Sequence, residues 1–176
     1  MTSVCTSQMP AGAKARFIHI CRTGPICILA CCLASFAYAQ LSPTAPALLN
    51  SNATTDSGAD QSSQVATDGQ GQWVAVWQSE EDLGGVAGTD ADILVARSAN
   101  NGASWTAPAT LNSNATTDSG DDFDPAIATD SMGNWVVAWR SDENLGGVAG
   151  TDDDLFVARS TDDGATWTPP AFLNSD

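Results

Sequence analysis

Apolar and polar residues alternate over short stretches of the chain, and this alternation is the pattern of β-strands. In residues 72–78, Trp73, Ala75 and Trp77 fall on one face, while Val74 and Val76 fall on the other. Successive side chains of a strand point to opposite faces, so both faces of this strand are apolar. The pattern therefore predicts a sheet that is covered on both sides.

Three further segments, residues 64–67, 92–98 and 104–111, have the same short apolar character. Turns rich in Gly, Asp, Asn and Ser separate them. No segment sustains a helical period, and residues 83–88 contain too many glycines for a helix. We therefore expect an all-β protein with four short strands in this part of the chain.

The same pattern occurs twice, with a period of 62 residues. Residues 49–110 and 111–172 are identical at 39 of 62 aligned positions, and the decapeptide at 49–58 returns letter for letter at 111–120. A period of this length is typical of stacked supersecondary units. We predict two repeats, 49–110 and 111–172, after a linker at 40–48 and before the start of a truncated third repeat at 173–176.

Residues 1–39 have the features of a secretory signal peptide. Basic residues precede an apolar run at 25–36, and Ala37-Tyr38-Ala39 fits a small-x-small cleavage pattern. The run is shorter than the roughly 20 residues that a membrane span requires. We predict a secreted or periplasmic protein; a membrane anchor and lipid attachment at Cys31 stay open as alternatives.

Removal of this leader would change the composition of the chain. All five cysteines lie within the first 32 residues, so disulfides and cysteine-ligated zinc are excluded from the remainder. The remainder keeps three arginines against 21 acidic residues. Nucleic acids and anionic membranes require basic patches. We therefore expect no nucleic-acid partner, and no membrane contact beyond the signal segment.

The turn before the last predicted strand carries a recognisable motif. Residues 160–167 read Ser-Thr-Asp-Asp-Gly-Ala-Thr-Trp, which matches the pattern Ser-x-Asp-x-Gly-x-Thr-Trp of the Asp-box in sialidase-type, or BNR, repeats. Residues 98–105 differ from it by Asn100 in place of Asp and Ser104 in place of Thr. The two repeats thus resemble the sialidase-like Asp-box family over the whole chain beyond the leader.

This resemblance implies a fold of two four-stranded antiparallel blades of a sialidase-like β-propeller. A closed propeller needs roughly four to eight blades. Two repeats therefore make an incomplete propeller, which requires further repeats or other chains to complete it.

The resemblance also implies a structural role for the motif residues, because in this family the Asp-box lies on the propeller rim, away from the substrate pocket. Ser and Asp side chains bond the backbone of their own turn, Gly accepts a positive φ, and Trp covers the loop. The residues concerned are Ser98, Asn100, Gly102, Trp105, Ser160, Asp162, Gly164 and Trp167.

Sialidases use three arginines, a tyrosine nucleophile paired with a glutamate, and an aspartate acid/base. The one tyrosine of this chain, Tyr38, and the one histidine, His19, are both in the leader. Arg97 and Arg159 are equivalent repeat positions, which leaves Arg140 as the arginine found in one copy alone. We therefore assign no catalytic residue in this chain, and its status as part of an enzyme stays open.

Clustered carboxylates make calcium the one cofactor for which the chain offers candidate ligands. Calcium takes six to eight oxygen ligands, often from flexible acidic turns. No EF-hand spacing is present. The candidate ligands are Asp118, Asp121, Asp122, Asp124, Asp152 and Asp154.

The residues thus favour a secreted, non-catalytic propeller segment that binds a glycan or protein ligand or has a structural role. Two alternatives stay open. The chain is a fragment of an exo-sialidase or related glycoside hydrolase whose catalytic residues lie elsewhere, or it is a structural surface or adhesion repeat array.

Overall fold

A computed structural model describes residue 45, residues 47–150 and residues 152–174. The predicted signal peptide lies outside these residues. The regular structure described is entirely β and comprises eight strands: β1 Asp60–Thr67, β2 Trp73–Ser79, β3 Asp92–Ser98, β4 Ala109–Thr110, β5 Asp122–Thr129, β6 Trp135–Ser141, β7 Asp154–Ser160 and β8 Ala171–Phe172. Within the same residues, no helix has the length and apolar character needed to cross a membrane.

The strands form two four-stranded antiparallel sheets, which confirms the predicted all-β architecture. Sheet 1 has the order β1-β2-β3-β4 and sheet 2 the order β5-β6-β7-β8. Each sheet is a meander, in which every strand pairs with the next one along the chain.

The last strand of each sheet is shorter than its sequence pattern predicts. We expected residues 104–111 to be extended, but β4 pairs with β3 through Ala109 and Thr110, and after them the Leu111 N–H donates to Ile93 O at 2.7 Å. Before it, the backbone N–H of Thr106 donates to Arg97 O at 2.9 Å, and Thr106 Oγ1 accepts the Arg97 N–H at 3.1 Å. These bonds already occupy the edge of β3 there, so the chain turns instead of continuing the ladder.

The first strand of each sheet is longer than predicted and contains a β-bulge. The β1–β2 register shifts between Gln61 and Gln64, and the β5–β6 register shifts at the equivalent place. Ser62 and Asp124 occupy the left-handed region there, with φ of 52° and 51°. A bulge bends its strand and redirects a side chain. β1 and β5 are therefore bent at the same point.

The two sheets pack against each other, and each contributes a different one of its two faces to the contact. Trp135, Val137 and Trp139 of β6 join one core with Val74 and Val76 of β2. The tryptophan face of sheet 2 thus covers the valine face of sheet 1, although the two repeats share their sequence pattern. Among the described residues, such a head-to-tail contact leaves one face of each kind without a second sheet upon it, and the contact can be repeated by further units.

The two uncovered faces are not equally exposed. On sheet 1, Leu49, Leu83 and Trp105 from nearby loops pack against the tryptophan face. On the valine face of sheet 2, Leu155 retains 48% of its exposure. Sheet 1 is thus partly closed by its own loops, and sheet 2 ends in a more open apolar face.

Candidate functional site

The turn that joins β7 to β8, which we call the second polar turn (residues 160–167), is held by its own side chains. Ser160 Oγ accepts the N–H groups of Asp162 at 3.3 Å and of Gly164 at 3.0 Å, and it donates to Asp162 Oδ1 at 2.7 Å. Thr166 donates to the Asp162 carboxylate from Oγ1 at 2.6 Å and from its N–H at 2.9 Å. These bonds, that from the Thr166 hydroxyl above all, lower the pKa of Asp162 to about 2.

The first polar turn (residues 98–105) has the same geometry despite its two substitutions. Asn100 Oδ1 accepts from Ser98 Oγ at 2.8 Å and from the Ser104 N–H at 2.9 Å. Asn100 Nδ2 donates to Ser104 Oγ at 2.8 Å. In the second polar turn the Thr166 hydroxyl donates to Asp162, whereas in the first polar turn the Asn100 amide donates to the Ser104 hydroxyl. Donor and acceptor are exchanged, and the first turn loses no hydrogen bond.

The two polar turns differ in what they pack against. Trp167 of the second turn packs against the core between the sheets, whereas Trp105 of the first turn packs on the uncovered face of sheet 1. A Cβ on Gly164 would lie 2.8 Å from Val74 Cγ2, across the boundary between the sheets. The second polar turn is therefore part of the contact between the two repeats.

A second group of polar residues connects the bulges of β1 and β5. Asp124 Oδ1 accepts from Ser62 Oγ at 3.0 Å, and the Asp124 N–H donates to Gln78 Oε1 at 3.3 Å. Arg140 forms ion pairs with Asp153 and, at 3.6 Å, with Asp124. We call these five residues the bulge cluster.

The guanidinium of Arg140 is also held from a third side. Its Cζ lies 4.7 Å from the ring centroid of Phe123, within the range of a cation–π interaction. Two carboxylates and an aromatic face thus surround this cation. The arrangement neutralises the charge of Arg140 and holds its side chain beside the bulge of β5.

The six predicted metal ligands lie in different surroundings. Asp121 accepts the Ala91 N–H at 2.9 Å, Asp124 belongs to the bulge cluster, and Asp154 accepts from Asn174 Nδ2 at 2.7 Å. Asp152 is exposed. Burial raises the pKa of Asp122 to about 8, although a hydrogen bond from Ser141 opposes the rise.

Asp118, the remaining predicted ligand, lies beside two carboxylates that the sequence reading did not select. One oxygen each from Asp90, Asp92 and Asp118 lies within 4.8 Å of the other two. Burial raises the pKa of Asp92 to about 7 and that of Asp118 to about 6, and neighbouring carboxylates add to both shifts. The available signal was the pair of acids two residues apart at the start of β3, which recurs as Asp152 and Asp154 at the start of β7.

Comparisons with known proteins bear on the fold. No protein-family model and no curated protein matches the chain. Among solved structures, the Hadza microbial sialidase Hz136 superposes with a TM-score of 0.51 at 22% identity, over 65% of this chain and 26% of that one. An N-acetylgalactosamine deacetylase from F. plautii, in complex with blood group B trisaccharide, superposes with a TM-score of 0.47 at 18% identity, over 67% and 37%.

The matched region spans about a quarter of the length of that sialidase. At this level of identity the likeness concerns the fold. Sheets 1 and 2 have the fold of part of a sialidase-like β-propeller.

Proposed function

We propose that the chain is a non-catalytic segment of a secreted, sialidase-like propeller, and that it serves as a structural or binding module. The observation that carries this proposal is the bulge cluster. Arg140 is the arginine found in one repeat alone, and its charge is taken up by Asp124 and Asp153. An arginine paired in this way holds neighbouring strands together and is a poor receptor for the carboxylate of a sugar.

The polar turns support the same proposal. We infer that residues 98–105 and 160–167 are Asp-boxes with a structural role, because their Ser, Asp and Asn side chains are bonded within their own turns. A side chain that satisfies its own backbone has little capacity left for a ligand. These residues therefore stabilise hairpins, and any ligand contacts fall to other loops.

The ligand of such a module would be a glycan or a protein. The surface favours neutral or cationic groups, because acidic residues outnumber basic ones by 21 to 6 in the whole chain. Like charges disfavour anionic partners. We therefore expect neutral glycans to bind better than sialylated ones.

The proposal predicts that the chain does not cleave sialosides. The purified full chain is incubated with a fluorogenic sialic acid conjugate beside a heat-killed sample and the Arg140→Ala variant. We expect the same background release from all three. Release by the native chain above the heat-killed sample, lost in Arg140→Ala, would show that the bulge cluster takes part in catalysis.

A second candidate function is that of a fragment of a sialidase or related glycoside hydrolase. The superposition on a sialidase favours this function, and the matched region covers 26% of that sialidase's length. On this alternative, the catalytic residues are supplied by other blades. Sialidase activity that arises when the chain is combined with the remaining blades, and is absent from each part alone, would support it.

A further inference from the structure

The boundary between the two repeats brings together three carboxylates. Asp90 comes from the end of the β2–β3 connection, Asp92 is the first residue of β3, and Asp118 comes from the repeated decapeptide at 111–120. One oxygen of each lies within 4.8 Å of the others. Calcium–oxygen distances are about 2.3–2.6 Å, so two ligands of one ion lie no more than about 5 Å apart. The three oxygens meet this limit without any movement.

The buried oxygen atoms at this place lack hydrogen-bond donors. Asp92 is 1% exposed, and its Oδ2 has no partner among the described residues. The same holds for Asp90 Oδ2 and Asp118 Oδ1. Buried polar atoms in folded proteins are nearly always paired. Three unpaired carboxylate oxygens in one cluster therefore favour the binding of a positively charged group.

Two asparagines complete the surroundings of the carboxylates. Asn112 Nδ2 donates to Asp92 Oδ1 at 2.7 Å, and Asn114 Nδ2 donates to Asp118 Oδ2. Asn112 Nδ2 also donates to Asp118 Oδ2 at 3.4 Å, so the two amides orient Asp92 and Asp118 through one oxygen of each and leave Asp92 Oδ2 and Asp118 Oδ1 without a donor among the described residues. The amide oxygens of both asparagines are also buried without a partner among the described residues.

The described residues supply no cation at this cluster. In the described part of the chain, both ion pairs involve Arg140, which lies in the bulge cluster. The charged groups that bear on Asp92 and Asp118 are Asp90, Asp121 and Glu143. All of them are acidic, so the cluster concentrates negative charge between the two repeats.

We propose that Asp90, Asp92 and Asp118 bind a calcium ion that joins repeat 1 to repeat 2, with Asn112 and Asn114 orienting the carboxylates and offering amide oxygens. The donors are all oxygen atoms, which suits a hard cation. Calcium accepts carboxylate and amide oxygens in irregular geometry, whereas magnesium demands a near-ideal octahedron and retains water.

The site gives a role to residues of the repeated decapeptide. Asn112, Asn114 and Asp118 all belong to it, and its next occurrence begins at Leu173 and includes Asn174, which donates to Asp154 Oδ1 at 2.7 Å. This contact is the equivalent of Asn112 with Asp92, 62 residues later. Each junction thus sets the acid pair of one repeat against the decapeptide of the next.

The test uses calcium itself on the purified full chain, after treatment with EDTA. We expect titration calorimetry to detect calcium binding. The melting temperature should rise by on the order of 5–10 °C at a calcium concentration about 100-fold above the Kd. An equal concentration of magnesium should give a much smaller rise. Absence of any calcium-dependent shift in the native chain at millimolar calcium would overturn the proposal.

Two matched variants locate the site. Asp118→Asn removes one charged ligand and should weaken calcium binding roughly tenfold or more. Asp56→Asn changes the same position of the first decapeptide, where Asp56 accepts from Asn50 at 2.9 Å, and should leave calcium binding unchanged.

Circular dichroism in EDTA shows that each variant is folded, and Asp90→Asn replaces Asp118→Asn if the latter is not. Unchanged calcium affinity in a folded variant of Asp118 or Asp90, or loss of affinity in Asp56→Asn, contradicts the assignment.

Discussion

Replacement of Trp135 by alanine is expected to lower the free energy of unfolding by about 3–5 kcal/mol. Trp135 is 2% exposed and belongs to the core between the sheets. Its removal leaves a cavity that the surrounding strands can fill only in part. Equilibrium denaturation followed by far-UV circular dichroism measures the loss.

Trp73 is the matched control, since it occupies the same position in the first repeat. It is half-buried, because sheet 2, the other sheet of the described residues, packs against the opposite face of sheet 1. Trp73→Ala should therefore cost clearly less than Trp135→Ala. Equal losses would mean that the two tryptophans have the same surroundings, contrary to head-to-tail stacking.

The second large effect is expected for Gly164→Val. The new Cβ would lie 2.8 Å from Val74 Cγ2, and Val74 is fully buried. A β-branched side chain has few alternative rotamers and cannot easily withdraw. Overpacking of this kind costs about 1–3 kcal/mol beyond the strain of the turn itself.

Gly102→Val separates the clash from the strain of the turn. Gly102 and Gly164 have φ of 78° and 75°, but the nearest atom to a Cβ on Gly102 is a Trp105 carbon at 3.8 Å. Gly164→Val should thus melt below Gly102→Val. Val74→Ala in the Gly164→Val background should recover part of the difference, since it makes room. Equal melting temperatures, or no recovery, would place the second polar turn away from sheet 1.

The strands and the two sheets could be predicted because the patterns that encode them are visible along the sequence itself. Alternation around Trp73 and Trp135 predicted β2 and β6, and the 62-residue period predicted two sheets of the same kind. The bulges were not predictable, because Ser62 and Asp124 adopt positive φ without glycine's freedom. Their conformation depends on contacts between β1 and β5, which no local pattern encodes.

The candidate sites were predicted less completely, because they too depend on contacts between residues far apart in the sequence. Asp118 was predicted to be a metal ligand because other acidic residues follow it in the sequence. The carboxylates that lie beside it in the structure, those of Asp90 and Asp92, belong to the other repeat. Arg140 was singled out, but its pairing with Asp124 and Asp153 depends on the bend in β5 and the connection before β7. Both groups arise from tertiary packing.

The two repeats stack head to tail, and this stacking makes the valine face of sheet 2 a surface for a further unit. Equilibrium denaturation of the chain extended by a third 62-residue copy tests this claim most directly. A third tryptophan face would cover Leu155 and its neighbours, and the stability of stacked repeats depends on such nearest-neighbour contacts. We predict a single transition with a higher midpoint and a larger m-value than the native chain shows. An unchanged midpoint, or a separate transition for the added copy, would contradict the stacking.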